Sequence, residues 1–118
     1  FKTKIQEQVI YCKDTSGIQI GISLGELLLV ETSGRKLRYL MLNGREYICE
    51  GRISETAQSL SPFGFFYVQR SYIVNLKYIE TVNSHEITLC NGLKITIGRV
   101  RSKEFKKAFF KWRMLFGD

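Results

Sequence analysis

The stretch Phe63-Gly64-Phe65-Phe66-Tyr67-Val68-Gln69-Arg70-Ser71-Tyr72-Ile73-Val74-Asn75-Leu76-Lys77-Tyr78-Ile79 decides how the rest of the chain is read. It follows the only proline, Pro62, and carries six aromatic rings with several β-branched residues. Such side chains suit a pleated, half-buried surface. Over Phe65–Arg70 the rings and Val68 alternate loosely with other residues, and Ile73, Val74 and Leu76 form a second short apolar run. Gln69-Arg70-Ser71 places a cation and a hydroxyl between the two runs. Packing of rings requires no arginine at that joint, which makes the joint a candidate for function.

On the N-terminal side the sequence predicts a succession of short strands. Residues 1–8 are polar and read as a linker or frayed terminus, with the folded domain expected over residues 9–116. Val9–Lys13 reads as a strand, Asp14-Thr15-Ser16-Gly17 as a turn, and Ile18, Ile20, Ile22 and Leu24 as one buried face of a second strand. Leu27–Glu31 is the next strand, followed by a polar loop, Thr32–Lys36, with a cationic tip. Leu37–Leu42 and Arg45–Cys49 flank Asn43-Gly44, a strong hairpin signal that predicts a type I′ turn. Ile53, Ala57 and Leu60 recur at helical spacing, and Ser61-Pro62 ends that helix.

On the C-terminal side Ile79–Val82, Glu86–Cys90 and Leu93–Ile97 read as strands, the last two joined by Asn91-Gly92. Phe105, Ala108, Phe109 and Trp112 then form the apolar stripe of a terminal helix, with Ser102 expected as its cap. The order Glu-Thr, strand, Asn-Gly, strand, helix thus occurs twice, starting at Glu31 and at Glu80, which reads as shared hairpin grammar ahead of a true duplication. The predicted class is mostly β: short antiparallel sheets and hairpins packed together, with a short middle helix and a C-terminal helix.

The chain of 118 residues has the size of one domain, and its 44% apolar and 25% charged content is ordinary for a globular protein. No apolar run approaches the ~20 residues that span a bilayer, and the N-terminus lacks the apolar core of a signal peptide. The net charge of +7 is unevenly placed. Lys94, Arg99, Arg101, Lys103, Lys106, Lys107, Lys111 and Arg113 are opposed in their segment by Glu104 alone, while the remainder balances. One-sided positive charge favours a polyanion, nucleic acid ahead of anionic lipid.

Chemistry of other kinds finds little support. The residues offer no nucleophile–histidine–acid arrangement, no phosphate-cradling glycine loop and no carboxylate pair in an apolar setting, so no enzyme is predicted. Cys12, Cys49 and Cys90 show no C-x-x-C spacing and read as buried reduced thiols of a cytoplasmic protein. With His85 the only histidine, no metal site is expected. Phe63-Gly64-Phe65-Phe66 has a weak likeness to an RNA-recognition strand, but the leading basic residue and the βαββαβ order are missing.

The pattern F-x-V-x-R-S-Y-I-V-N from Phe66 to Asn75, with Ile79 four residues on, resembles the core signature of LytTR-type DNA-binding domains. That family usually has His before the Arg-Ser pair, where this chain has Gln69. The likeness extends to Leu28-Leu29-Val30-Glu31, to Asn91-Gly92 and to the strand before the terminal helix, and so covers about residues 8 to 114. The resemblance implies a β-β-β sandwich that acts as the output module of a bacterial response regulator and places loops, not a recognition helix, in successive major grooves of duplex DNA. It implies no cofactor. It further implies paired or direct-repeat sites, two copies on DNA, and a phosphorylatable receiver N-terminal to the domain.

Three loops match. They nominate Arg35, Arg70 and either Arg99 or Arg101 for base contacts, and Lys36, Ser71, Lys77 and Lys103 for phosphates. Composition alone would instead favour Lys103, Lys106, Lys107 and Lys111 on the terminal helix, which the resemblance treats as a solvated face. Asn75 is expected to fix backbone geometry. The alternative to DNA binding is a β-rich protein-interaction module using exposed aromatics and hairpin edges.

Overall fold

The computed structural model describes residues 7–117, so most of the linker expected at residues 1–8 lies outside the described residues. Ten strands form three antiparallel sheets. β1 (Val9–Lys13) and β2 (Gln19–Ser23) make a hairpin. β3 (Leu27–Ser33), β4 (Lys36–Met41), β5 (Glu46–Cys49), β6 (Phe65–Gln69) and β7 (Tyr72–Asn75) make a five-stranded sheet in the order β5-β4-β3-β7-β6. β8 (Ile79–Val82), β9 (Glu86–Leu89) and β10 (Lys94–Thr96) make the third sheet. Helix α1 (Ile53–Leu60) lies between β5 and β6, and α2 (Ser102–Phe116) ends the fold. The mostly-β sandwich with a middle and a terminal helix is therefore the architecture.

The five-stranded sheet is the middle layer, because β3, β6 and β7 are covered on both faces, while the β5 edge leaves Glu46 and Ile48 exposed. Phe65 and Tyr67 pack with the β1–β2 hairpin and α1, beside Ile22, Leu24 and Leu60. Phe66 and Val68 face the other way, into a second core with Ile87, Leu89, Phe105 and Trp112. Ile73 and Val74 divide in the same manner. Alternation along these strands is thus strict, but it separates two apolar environments, so the sequence shows it only loosely. A bulge between Tyr67 and Gln69 sets the register that leaves Arg70-Ser71 as a two-residue turn.

Several local expectations are corrected. Thr32–Lys36 is not an open loop: β3 runs to Ser33, β4 starts at Lys36, and only Gly34-Arg35 turns. The two Asn-Gly turns are not type I′, since glycines alone have positive φ. Gly44 and Gly92, at φ +91° and +88°, follow a tight turn in which their N–H groups donate to Met41 and Leu89 carbonyls at 2.9 and 2.8 Å. Asn43 and Asn91 then accept from the N–H two residues on, at 2.9 and 3.0 Å, which makes these three-residue hairpin loops with the glycine in the left-handed region.

Ser102 does not cap α2. A 3-10 turn at Arg99–Arg101 feeds helical backbone straight into it, so the Ser102 hydroxyl has no free helix end to satisfy. Ile18 is exposed rather than buried, and of the three cysteines Cys90 is exposed, in the turn before Asn91. The expected stripe on α2 holds: Phe105 and Trp112 are buried, Ala108 and Phe109 half-buried, and the Phe105 ring meets Phe66 edge-on at 5.4 Å. No helix among the described residues is long and apolar enough to cross a membrane.

Candidate nucleic-acid interface

Three backbone hydrogen bonds and one from a side chain gather four turns at one end of the molecule. Thr32 N–H donates to the Ser71 carbonyl at 3.0 Å, seating the β6–β7 turn beside the β3–β4 turn. Gly98 N–H donates to Val68 at 2.8 Å and Gln69 Nε2 to Thr96 at 2.9 Å, tying β6 to the segment after β10. Ile97 N–H donates to the His85 carbonyl at 2.8 Å, which draws in the β8–β9 turn. Residues far apart in sequence are thereby brought to one surface.

Between these turns lies an open groove of about 920 Å³, lined by Gln69, Arg70, Ser71, Ser84, His85, Arg99, Arg101 and Ser102 among others. Arg70 sits in its turn with an exposed side chain, and its carbonyl accepts from the Tyr67 hydroxyl at 3.0 Å. Arg99 is exposed as well. Arg101 is half-buried and lies over the Tyr67 ring, 4.3 Å from its centroid, a cation–π contact that braces the guanidinium. The geometry therefore separates two arginines that the sequence left equivalent. Arg99 is a free donor fork, and Arg101 a braced one.

Arg35 stands exposed at the tip of the neighbouring β3–β4 turn, outside the groove but at the same sheet end. Among the described residues no carboxylate pairs with Arg35, Arg70, Arg99 or Arg101. Acidic charge at this end is instead taken up by other cations. Lys36 is ion-paired with Glu50. Arg38 Nη2 reaches both Glu31 oxygens at 2.6 and 2.7 Å, and its Nη1 reaches Glu46 at 3.2 Å. The hydrogen bond to Glu31 holds the Arg38 guanidinium above its usual range, so it stays a fixed charge beneath the turn. The effect is an electropositive rim above a neutralised base.

The other nominated residues divide. Ser71 lines the groove, and Lys103 is exposed in the first turn of α2, just past Ser102. Lys36 is already partnered, although exposed pairs of this kind exchange at little cost. Lys77 follows the far end of β7, away from the Arg70 turn, and lies 5.5 Å from the Tyr78 ring. The structure thus brings Arg70, Ser71, Arg99 and Arg101 onto one groove with Arg35 adjacent, and leaves Lys77 apart.

Gln69, Ser84, His85 and Ser102 also line the groove and were not singled out as binding residues from sequence. No spacing pattern links position 85 to position 70, because only the packing of the third sheet joins them. Lys106, Lys107 and Lys111 are exposed along α2, which leads away from the groove by ~1.5 Å per residue. A guanidinium presents donors in a planar fork that matches a phosphate or the O6/N7 edge of guanine. Four of them stand on adjacent turns, none ion-paired with a carboxylate among the described residues, and so present several such forks from one end of the sheet. Among the described residues no group of three or more His, Cys, Asp or Glu could hold a metal ion.

Comparison with known families finds that residues 19–110 match the model of the LytTr DNA-binding domain. Among solved structures the chain is similar to the LytTr DNA-binding domain of a methyl-accepting/DNA response regulator from Bacillus cereus. The two share 20% sequence identity and superpose with a TM-score of 0.70, over 85% of this chain and 94% of that one. At this identity the likeness concerns the fold. A comparison with curated proteins finds no match.

Proposed function

The chain belongs to the LytTR family of DNA-binding domains, and from that premise we propose that it binds specific duplex DNA through the arginine-bearing turns at one end of its central sheet. The observation that carries the reading is the convergence of Arg70, Arg99 and Arg101 on one groove, with Arg35 on the adjoining turn and, among the described residues, no carboxylate paired with them. Two-residue turns on a stiff sheet are narrow enough to enter a major groove ~12 Å wide. In this reading Arg35, Arg70 and Arg99 probe base edges, and Arg101, braced on Tyr67, takes a base or a phosphate. Ser71, Lys103 and, once released from Glu50, Lys36 hold phosphates and set register. Lys77 contributes only at a distance.

The role extends to the output domain of a bacterial transcriptional regulator. It occupies paired or direct-repeat sites as two copies, with a receiver domain N-terminal to it. The support for that extension is family membership and the response-regulator context of the Bacillus cereus relative.

Fluorescence anisotropy against a site selected from genomic fragments, titrated with salt, tests the proposal. Affinity should fall linearly in log–log form with salt, by about 0.9 per phosphate neutralised. Arg70→Ala should lose about 1–3 kcal/mol on the selected site and much less on random duplex. An unchanged ratio of the two affinities removes Arg70 from the readout set. The double change Lys106→Ala with Lys107→Ala should weaken every duplex slightly and equally. Loss of sequence preference in that variant would move the interface from the turns to α2.

A further inference from the structure

We propose that Cys12 and Cys49 form a covalent modification site, an oxidisable thiol pair whose disulfide staples the β1–β2 hairpin to the edge of the five-stranded sheet. The two sulfurs lie 2.7 Å apart, in hydrogen-bond contact, although the residues are on separate sheets. Both thiols are free and buried within the first core. Between β1 and β5 the backbone link is slight. It consists of an isolated bridge from Asp14 to Cys49 and the Glu50 N–H donating to the Lys13 carbonyl at 2.8 Å. A covalent bond there therefore adds a constraint that the hydrogen-bond pattern lacks.

A pair of cysteines serving only as small apolar side chains would account for burial. It does not require the two sulfurs to meet across a sheet boundary. The position also matters for the molecule. Cys49 pairs with Leu37, and the following Glu50 holds Lys36 beside the Arg35 turn, so the staple fixes the base on which that turn stands.

The reaction balances with a peroxide as oxidant. The Cys49 thiolate attacks a peroxide oxygen, the S–O bond forms, the O–O bond breaks, and hydroxide leaves to take up a proton as water. Cys12 then attacks the Cys49 sulfur, the S–S bond forms, the S–O bond breaks, and a second water leaves. Two thiols lose two electrons in all, and one peroxide is reduced to two waters. Burial raises both thiols, Cys12 to about 12, while the hydrogen bond from Cys12 favours Cys49 as the thiolate. Neutral buried thiols react slowly, so oxidation proceeds through openings of the hairpin, and the bond captures its closed state.

The inference is independent of DNA binding. It is tested on the full chain carrying Cys90→Ser, which removes the exposed third thiol. The protein is cycled through partial unfolding with hydrogen peroxide, then examined by intact mass, peptide mapping and thermal melting with and without a dithiol reductant. The expected result is loss of two hydrogens, a cross-linked peptide joining Cys12 to Cys49, and a midpoint raised by roughly 10 °C that reductant reverses. Cys12→Ala or Cys49→Ala in the same background should show no oxidant-dependent rise. Two free thiols after the cycle, oxygen added to either sulfur without a cross-link, or a cross-link that leaves the midpoint unchanged or lower each overturn the proposal.

Discussion

Asn75→Ala should lower the unfolding free energy by about 2–4 kcal/mol, as read by urea denaturation with an unchanged slope. Asn75 is fully buried, and its side chain joins three backbone segments. Its Nδ2 donates to the Leu27 carbonyl at 2.9 Å and to the Leu24 carbonyl at 3.3 Å, just past the end and at the start of the 3-10 turn Leu24–Glu26. Its Oδ1 accepts from Lys77 N–H at 3.0 Å, closing the 3-10 turn that follows β7. Alanine would leave the Leu27 carbonyl and the Lys77 N–H short of a partner where water has poor access, while the Leu24 carbonyl keeps the Leu27 N–H, and each group so stranded costs about 1–3 kcal/mol before relaxation. Asn75→Asp keeps the acceptor for Lys77 but loses both donated bonds and buries a charge, so it should fare no better. A loss below about 1 kcal/mol for the alanine variant would mean that the turns relax around the gap. Asn75, four positions from Ser71 in the signature and expected to fix backbone geometry, is thus a structural clasp. Its loss should weaken DNA binding only in proportion to the unfolded fraction.

Gly64→Ala should cost about 2–5 kcal/mol, the sum of two separable terms. Gly64 has φ +87°, where an alanine is strained by about 1–2 kcal/mol. A Cβ built there would come within 2.3, 2.6 and 2.9 Å of three ring carbons of Trp112, so the tryptophan must move, and overpacking of this kind costs about 1–3 kcal/mol or more. Gly92→Ala isolates the first term, because Gly92 has nearly the same φ, +88°, but nothing within 4 Å of its added carbon. Trp112 is the only tryptophan, so its fluorescence reports the displacement directly. Equal losses in the two variants, with unchanged emission, would show that α2 yields to the extra carbon without penalty. The expected difference instead places the seat of α2, and with it the start of that helix at the groove, under the control of one glycine just before β6.

How much of this was legible in residues alone follows from the range of the interactions involved. The Asn-Gly signals locate both hairpins, because turn preference is local, but they do not distinguish the turn type. A type I turn followed by a left-handed glycine uses the same two residues as type I′ and differs only in how the flanking strands close. The stripe on α2 was readable for the same local reason, whereas the Ser102 cap failed because the preceding residues were already helical. The arginine at position 70 stood out as a cation that the surrounding rings did not need, and it proved to occupy the turn itself.

What the chain alone determined was the set of short strands and two helices, the concentration of charge toward the C-terminus, and the family signature that ties Arg70-Ser71 to its neighbours. All of these depend on residues close in sequence. Pairing of β3 with β7, and the folding of the third sheet against their far side, decided the rest. Those contacts split Phe65–Val68 between two cores, set Arg35, Arg70, Arg99 and His85 on one end, sent Lys77 to the other, paired Lys36 with Glu50, and brought Cys12 to Cys49. Side-chain type states what a residue can do when it meets a partner. Which partner it meets is fixed by strand registers spanning dozens of residues, and these follow from the shared burial of two apolar faces rather than from any local preference.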